Sequence, residues 1–103
     1  MHRRLSKGFA LELAPYKIRV NVVEPGFASG STYTKLGDEY VAKMTARIPL
    51  GRASGPDDAA GAILYLCSEK ASFITGEVLS VDGGNSIGTY EPGMIDVQPF
   101  LSA

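Results

Sequence analysis

A single cysteine, Cys67, stands among the 103 residues, so no disulfide can form within the chain. An excess of charge of either sign is also missing. Ten Lys and Arg face eleven Asp and Glu, a formal net charge of −1. Without a basic excess there is no electrostatic case for nucleic acid or an anionic membrane surface as a partner. No apolar run approaches the ~20 residues that cross a bilayer as a helix. Met1-His2-Arg3-Arg4 is basic, but no apolar stretch with a small-residue cleavage site follows, which argues against a signal peptide. Metal chemistry has little to work with. His2 is the one histidine, with no carboxylate or cysteine partner at ligand spacing, and no metal site is expected. A soluble, cytoplasmic protein is the expectation.

Hydrophobic residues make up 45% of the chain, the level of a globular protein, and the length sets one small domain as the starting assumption. Residues 5–14 read as a helix with Leu5, Phe9 and Leu13 on one face at i, i+4, i+8, ended by Pro15. Its start has no capping side chain. His2, Arg3 and Arg4 crowd the positive pole of the helix, where carboxylates belong. This reads as a helix entered midway. Ile18 to Val23 is short and β-branched, a strand broken by Glu24-Pro25-Gly26. After a loop, Gly37 or Asp38 opens a second helix with an apolar stripe of Val41, Met44 and Ile48, stopped by Pro49. The clearest start follows: Ser54 or Gly55 as cap, Pro56 in the first helical position, Asp57 and Asp58 in the first turn. Ala60, Ile63, Leu64 and Cys67 then fall at i, i+3, i+4, i+7, which places Cys67 in the core. Val78 to Val81 is a second strand, closed by Asp82-Gly83-Gly84. The order helix, strand, helix, helix, strand implies an α/β layer with two parallel strands joined by a helical crossover. Residues 1–84 form this unit. Residues 85–103, with Gly88, Pro92, Gly93 and Pro99, show no sustained period and read as an extended tail.

Five segments, in order and compatibly spaced, resemble the C-terminal part of the short-chain dehydrogenases/reductases. Leu11 to Asn21 resembles that family's last helix-to-strand passage, and Pro25-Gly26 sits where it has a cofactor-facing Pro-Gly. Ile48 to Arg52, followed by Gly55-Pro56-Asp57-Asp58, looks like the join between substrate lid and final helix. Phe73 to Gly76 and Val81 to Gly84 resemble the final strand and its borders. The resemblance covers residues 5–84. It implies the C-terminal portion of a doubly wound, Rossmann-like parallel sheet that binds NAD or NADP at the carboxyl ends of its strands. It also implies hydride transfer between the nicotinamide and an alcohol or carbonyl carbon of a small-molecule substrate. By the same resemblance Pro25, Gly26, Ala28 and Ser29 match the positions that hold the nicotinamide carboxamide. The family's threonine is replaced by Gly30, with Ser29, Ser31 or Thr32 as substitutes.

The family's catalytic pair is Tyr-x-x-x-Lys, whose spacing puts a lysine where it lowers the tyrosine pKa. Four residues after Tyr16, Tyr33, Tyr40, Tyr65 and Tyr90 stand Val20, Gly37, Met44, Glu69 and Met94. None is lysine. Tyr40 and Lys43 are three apart and read as a solvated helix face. The nearest imitation of the Gly-rich phosphate turn, Gly26 through Gly30 to Thr32, lacks its third glycine and reads as a plain turn. Asn21, on the strand, is not the family's helical asparagine. Arg19 and Arg52 read as helix-end or interface salt-bridge residues. The expected protein is thus a lid-bearing segment of an NAD(P)-dependent oxidoreductase, inactive alone, and a homo-oligomer or an assembly partner of a full-length relative. By resemblance the missing lysine belongs in the turn before Met1, with a tyrosine four residues earlier.

Overall fold

In a computed structural model, residues 2–28, 35–88 and 98–101 are described. Two strands, β1 (Val22–Pro25) and β2 (Val78–Val81), pair in parallel with Val22 against Val78 and Pro25 against Val81. Helix α1 (His2–Leu13) precedes β1. Helices α2 (Asp38–Ala46) and α3 (Pro56–Cys67) fill the crossover, and a four-residue helix α4 (Gln98–Leu101) lies in the tail. Side-chain alternation in β1 separates the layers. Glu24 reaches Arg3 of α1, whereas Val23 shares a groove with Ile63 and Leu66 of α3. The α/β reading of two parallel strands with flanking helices is therefore what the chain adopts.

Local chemistry explains the element ends. Gly55 caps α3, Pro56 is its first residue, and the Asp58 carboxylate turns back to accept the Gly55 N–H at 2.7 Å, satisfying a donor that the helix leaves unpaired. At the other end of α3, the Arg19 guanidinium donates to the Leu66 carbonyl at 2.7 Å and to the Ile74 carbonyl at 3.2 Å. The cation sits at the negative pole of the helix, where it stabilises it. Arg19 is thus a helix-end residue, one of the two roles the sequence left open. α1 closes at Leu13, and Pro15 lies inside a 3-10 turn, Ala14–Tyr16, that continues it. Lys17 then takes φ +63, the only non-glycine in the left-handed region among the described residues.

Two expectations need correcting. The first strand was placed at Ile18 to Val23, but the ladder runs from Val22 to Pro25. Residues 18–21 face the 74–77 segment without pairing regularly. Gly76, at φ +77, bends that segment, and side chains bridge the gap. The Asn21 amide donates to the Ile74 carbonyl at 3.1 Å, and its oxygen accepts the Glu77 N–H at 3.0 Å. Thr75 Oγ1 accepts the Val20 N–H at 3.1 Å. Asn21 is a splice between strands, not a catalytic group.

The second correction concerns the helix faces. Leu5 and Phe9 of α1 are 58% and 48% exposed, and the buried residues of that helix are Ser6 and Ala10. In α3, Ile63, Leu64 and Cys67 are exposed, while Ala59, Ala62 and Leu66 turn inward. The thiol expected in the core faces out. Among the described residues the buried hydrophobic side chains are Ala10, Ile48, Leu66 and Ala71, a very small core. The α2 stripe fares better: Val41 and Met44 are half-buried and Ile48, just past the helix, is buried. The tail expectation covers residues partly outside the described set. Within it, Asn85–Ile87 form a 3-10 turn.

Candidate functional site at the carboxyl ends of the strands

β1 and β2 end side by side, and the chain leaves both through glycine. The Gly26 N–H donates to the Val81 carbonyl at 3.2 Å, one step beyond the ladder. A Cβ on Gly26 would lie 2.6 Å from Asp82 Cβ and 3.0 Å from Asp82 Cα. Only a hydrogen fits between the two strand ends. Asp82 folds over its own turn: its carboxylate accepts the Gly84 N–H and the Ser86 N–H, each at 3.1 Å. The Ser86 hydroxyl first, then the backbone N–H donors, holds its pKa below the ordinary carboxylate value against the opposing effect of burial.

The segment between α2 and α3 locks onto both exits. Leu50 N–H donates to the Gly83 carbonyl at 3.0 Å, and Ser54 N–H donates to the Phe27 carbonyl at 2.9 Å. Ala28 and Ser54 form an isolated parallel bridge. Gly83, at φ +65, has Ile48 Cγ2 2.7 Å from its Cβ position, so both its conformation and its surroundings demand glycine. Arg52 makes a two-pronged contact with Asp58, at 2.8 and 3.0 Å. Hydrogen bonding from Arg52, then from the Gly55 N–H, lowers the Asp58 pKa to about 2. The same bond raises that of Arg52. Between these parts lies a cleft of about 320 Å³, bordered by Phe27, Ile48, Leu50, Arg52, Ser54 and Asp82.

Pro25, Gly26 and Ala28 therefore lie on one stretch of backbone at the strand ends, and Ser29 falls outside the described residues. The same holds for Gly30, Ser31 and Thr32. Phe27 was not singled out in the sequence, yet it borders the cleft and meets the Tyr40 ring of α2 edge-on, with centroids 6.5 Å apart. An aromatic residue within a glycine-bearing loop was the available signal. Tyr40 is half-buried against that ring, while Lys43 is exposed, so the two do not act as a pair. Glu24, read only as a strand breaker, pairs with Arg3 across to α1.

The parallel pairing, the helices on both faces and the site at the strand ends define a class: part of an open α/β sheet of the doubly wound kind. The family model described as enoyl-(acyl carrier protein) reductase matches residues 2–86. The 3-oxoacyl-[acyl-carrier-protein] reductase of Aquifex aeolicus is 47% identical over 79 residues, which are 77% of this chain and 32% of that protein. The 3alpha-hydroxysteroid dehydrogenase of Mediterraneibacter gnavus is 46% identical over 79 residues, again 77% and 32%. A crystal structure of a short chain dehydrogenase family protein from Francisella tularensis superposes with a TM-score of 0.77 at 32% identity, covering 84% of this chain and 40% of that one. The chain belongs to the short-chain dehydrogenase/reductase family. It spans about a third of the length of the curated relatives it matches.

The dinucleotide expected of such a protein needs a helix start that welcomes its pyrophosphate. α2 opens with Asp38 and Glu39, and α3 with Asp57 and Asp58. At α3 the Gly55 N–H is already committed to a carboxylate. A phosphate at either helix start would meet two negative charges. Neither the start of α2 nor that of α3 therefore fits a pyrophosphate. No described helix is long and apolar enough to cross a membrane, and no described cluster of His, Cys, Asp or Glu is arranged to hold a metal ion.

Proposed function

We propose that this chain is the C-terminal segment of a cytoplasmic NAD(P)-dependent oxidoreductase that moves hydride between the nicotinamide and an alcohol or carbonyl carbon. The unit at residues 1–84 brings two things to that protein. One is the lid, Thr32 to Arg47. The other is the edge of the nicotinamide pocket, Pro25, Gly26, Ala28 and Ser29. Residues 85–103 are an appended tail. The observation that carries this reading is the ordered match of residues 2–86 to the family, together with the closed backbone knot where β1 and β2 end. The chain contains no Tyr-x-x-x-Lys. Without a positioned proton donor, a factor of roughly 10²–10⁴ is lost, and without bound nucleotide there is no hydride to move.

A second reading is favoured by the exposed apolar faces of α1 and α3: a non-catalytic short protein whose partners are further copies of itself or full-length relatives. One experiment tests the first reading and bears on the second. The purified chain is incubated with NAD, NADP and their reduced forms and with a panel of alcohols and carbonyl compounds. No turnover and no quenching of nucleotide fluorescence are expected. Turnover that survives repurification would show that the acid/base pair has been misread. The reading frame upstream of Met1 then separates the two proposals. A Tyr-x-x-x-Lys in frame supports the oxidoreductase segment, and an immediate in-frame stop supports the assembly partner.

A further inference from the structure

α2 is a helix with little of its own to hold it. It runs for nine residues, Asp38–Ala46, and none of them is buried. Gly37 precedes it at φ +110 and offers no side chain as a cap. A helix of that length is marginal in water unless tertiary contacts support it. Asp38 and Glu39 at its start and Lys43 near its end suit the helix dipole, but on an exposed helix that effect is small. Support from outside is visible at both ends.

The C-terminal end is built into the strand-end knot. The Arg47 and Ile48 N–H groups donate to the Met44 and Thr45 carbonyls at 3.2 and 3.0 Å and close the last turn. Ile48 is then buried beside Gly83, Pro49 lies against Gly84, and the Leu50 N–H donates to the Gly83 carbonyl. At the other end the support is a ring. Tyr40 meets Phe27 with the ring planes at 69° and the centroids 6.5 Å apart, an edge-on arrangement in which aromatic rings attract. Both side chains are half-buried. Phe27 is a fixed anchor. Its carbonyl accepts the Ser54 N–H at 2.9 Å, Gly26 before it is wedged against Asp82, and Ala28 after it bridges to Ser54.

We infer that Phe27 and Tyr40 form a latch that fastens the first turns of α2 to the exit of β1, and that α2 swings about its Ile48 end when the two rings part. The position of α2 is thereby set by a residue between Gly26 and Ala28, the backbone assigned above to the edge of the nicotinamide pocket. That consequence rests on the oxidoreductase reading, whereas the latch is a property of this chain alone.

Amide hydrogen exchange of the full 103-residue chain, followed residue by residue by NMR, tests it. Tyr40→Leu and Phe27→Leu are each expected to speed exchange at Val41, Ala42 and Lys43 about fivefold to tenfold, the worth of an aromatic pair with its burial. Leucine is a better helix former than tyrosine, so intrinsic propensity would act in the opposite direction. Tyr40→Phe keeps the ring and is expected to exchange like the parent. The double leucine variant is expected to lose no more than either single one, because both remove the same contact. Ile48, Leu50 and the amides of α3 keep their parent rates, which shows that the variants fold and that the Ile48 end holds. Exchange in α2 unchanged by both leucine variants would overturn the latch, as would Tyr40→Phe exchanging as fast as Tyr40→Leu. Acceleration spread equally over α2, Ile48, Leu50 and α3 would also overturn it, since the contact would then support the whole fold and not one movable helix. The oxidoreductase reading is untouched by these outcomes, because it stands or falls on the nucleotide assay and the upstream reading frame.

Discussion

The strand-end knot and the outer faces of the two long helices are built on opposite terms. In the knot, every glycine that matters is required by an atom of this same chain: Gly26 by Asp82, Gly83 by Ile48. Its carbonyls and N–H groups are matched among β1, β2 and the α2–α3 segment. On the helix faces, large apolar side chains meet water. Leu64 is 72% exposed and Phe9 48%, and a Cβ on Gly8 would meet nothing within 4 Å among the described residues. Among the described residues the knot closes backbone on backbone, whereas the helix faces leave large apolar side chains in water. Backbone closing on backbone fixes local geometry at the strand ends, while the exposed helix faces gain little from burial.

The comparison breaks first at Gly26. Gly26→Ala is expected to destabilise the chain by about 2 kcal/mol, because its Cβ has no room and the two strand ends must separate. Urea titration of both proteins reads this directly, and a difference near zero would mean that the knot opens freely. The next largest effect has the opposite sign. At the joint between α1 and β1, Lys17 holds a left-handed conformation that disfavours any side chain. Lys17→Gly is expected to stabilise by up to about 1 kcal/mol, less what glycine adds to the freedom of the unfolded chain. A lowered thermal midpoint would show instead that the Lys17 side chain contributes packing.

Leu64→Gln sharpens the other side of the comparison. A change on an uncovered face should alter stability by less than about 0.5 kcal/mol. Read by the same titration at low protein concentration, a loss of more than about 1 kcal/mol would place Leu64 in a packed interface. The smallest effect belongs to the exposed Arg52–Asp58 pair, which holds the Asp58 pKa at about 2, below its ordinary 3.8. A carboxyl depressed in the folded state stabilises above its unfolded pKa and loses that contribution as pH falls through the folded value. The stability difference between the parent and Asp58→Asn should therefore be level at neutral pH and shrink from about pH 5 to about pH 2. A difference that stays constant to pH 2 would show that the pair contributes nothing beyond geometry. The pair faces solvent, which screens it, so the whole effect is modest.

Much of the candidate site was legible as a sequence. Pro25-Gly26, the glycines after β2 and the Gly55-Pro56-Asp57-Asp58 start of α3 all announced turns and ends, because turn chemistry depends on neighbours within a few residues. Phe27 and its contact with Tyr40 were not legible. They depend on where α2 lies, and no local pattern encodes that. The extent of β1 was also misplaced, since Ile18 to Asn21 are strand-like residues whose partner segment is bent at Gly76 and bridged by Asn21 and Thr75.

The sequence alone determined the order of elements, the start of α3 and the position of β2, because capping, proline geometry and β-branched runs act within a single turn or strand. Only the tertiary structure decided which face of each helix is buried. Apolar periodicity pointed to Leu5, Phe9 and Leu13, and to Ala60, Ile63, Leu64 and Cys67. The inward-facing residues are instead Ser6 and Ala10, and Ala59, Ala62 and Leu66. At α1 the Ala10 methyl lies 3.7 Å from the Cβ position of Gly76. That spacing admits small side chains and turns the large ones away from the sheet.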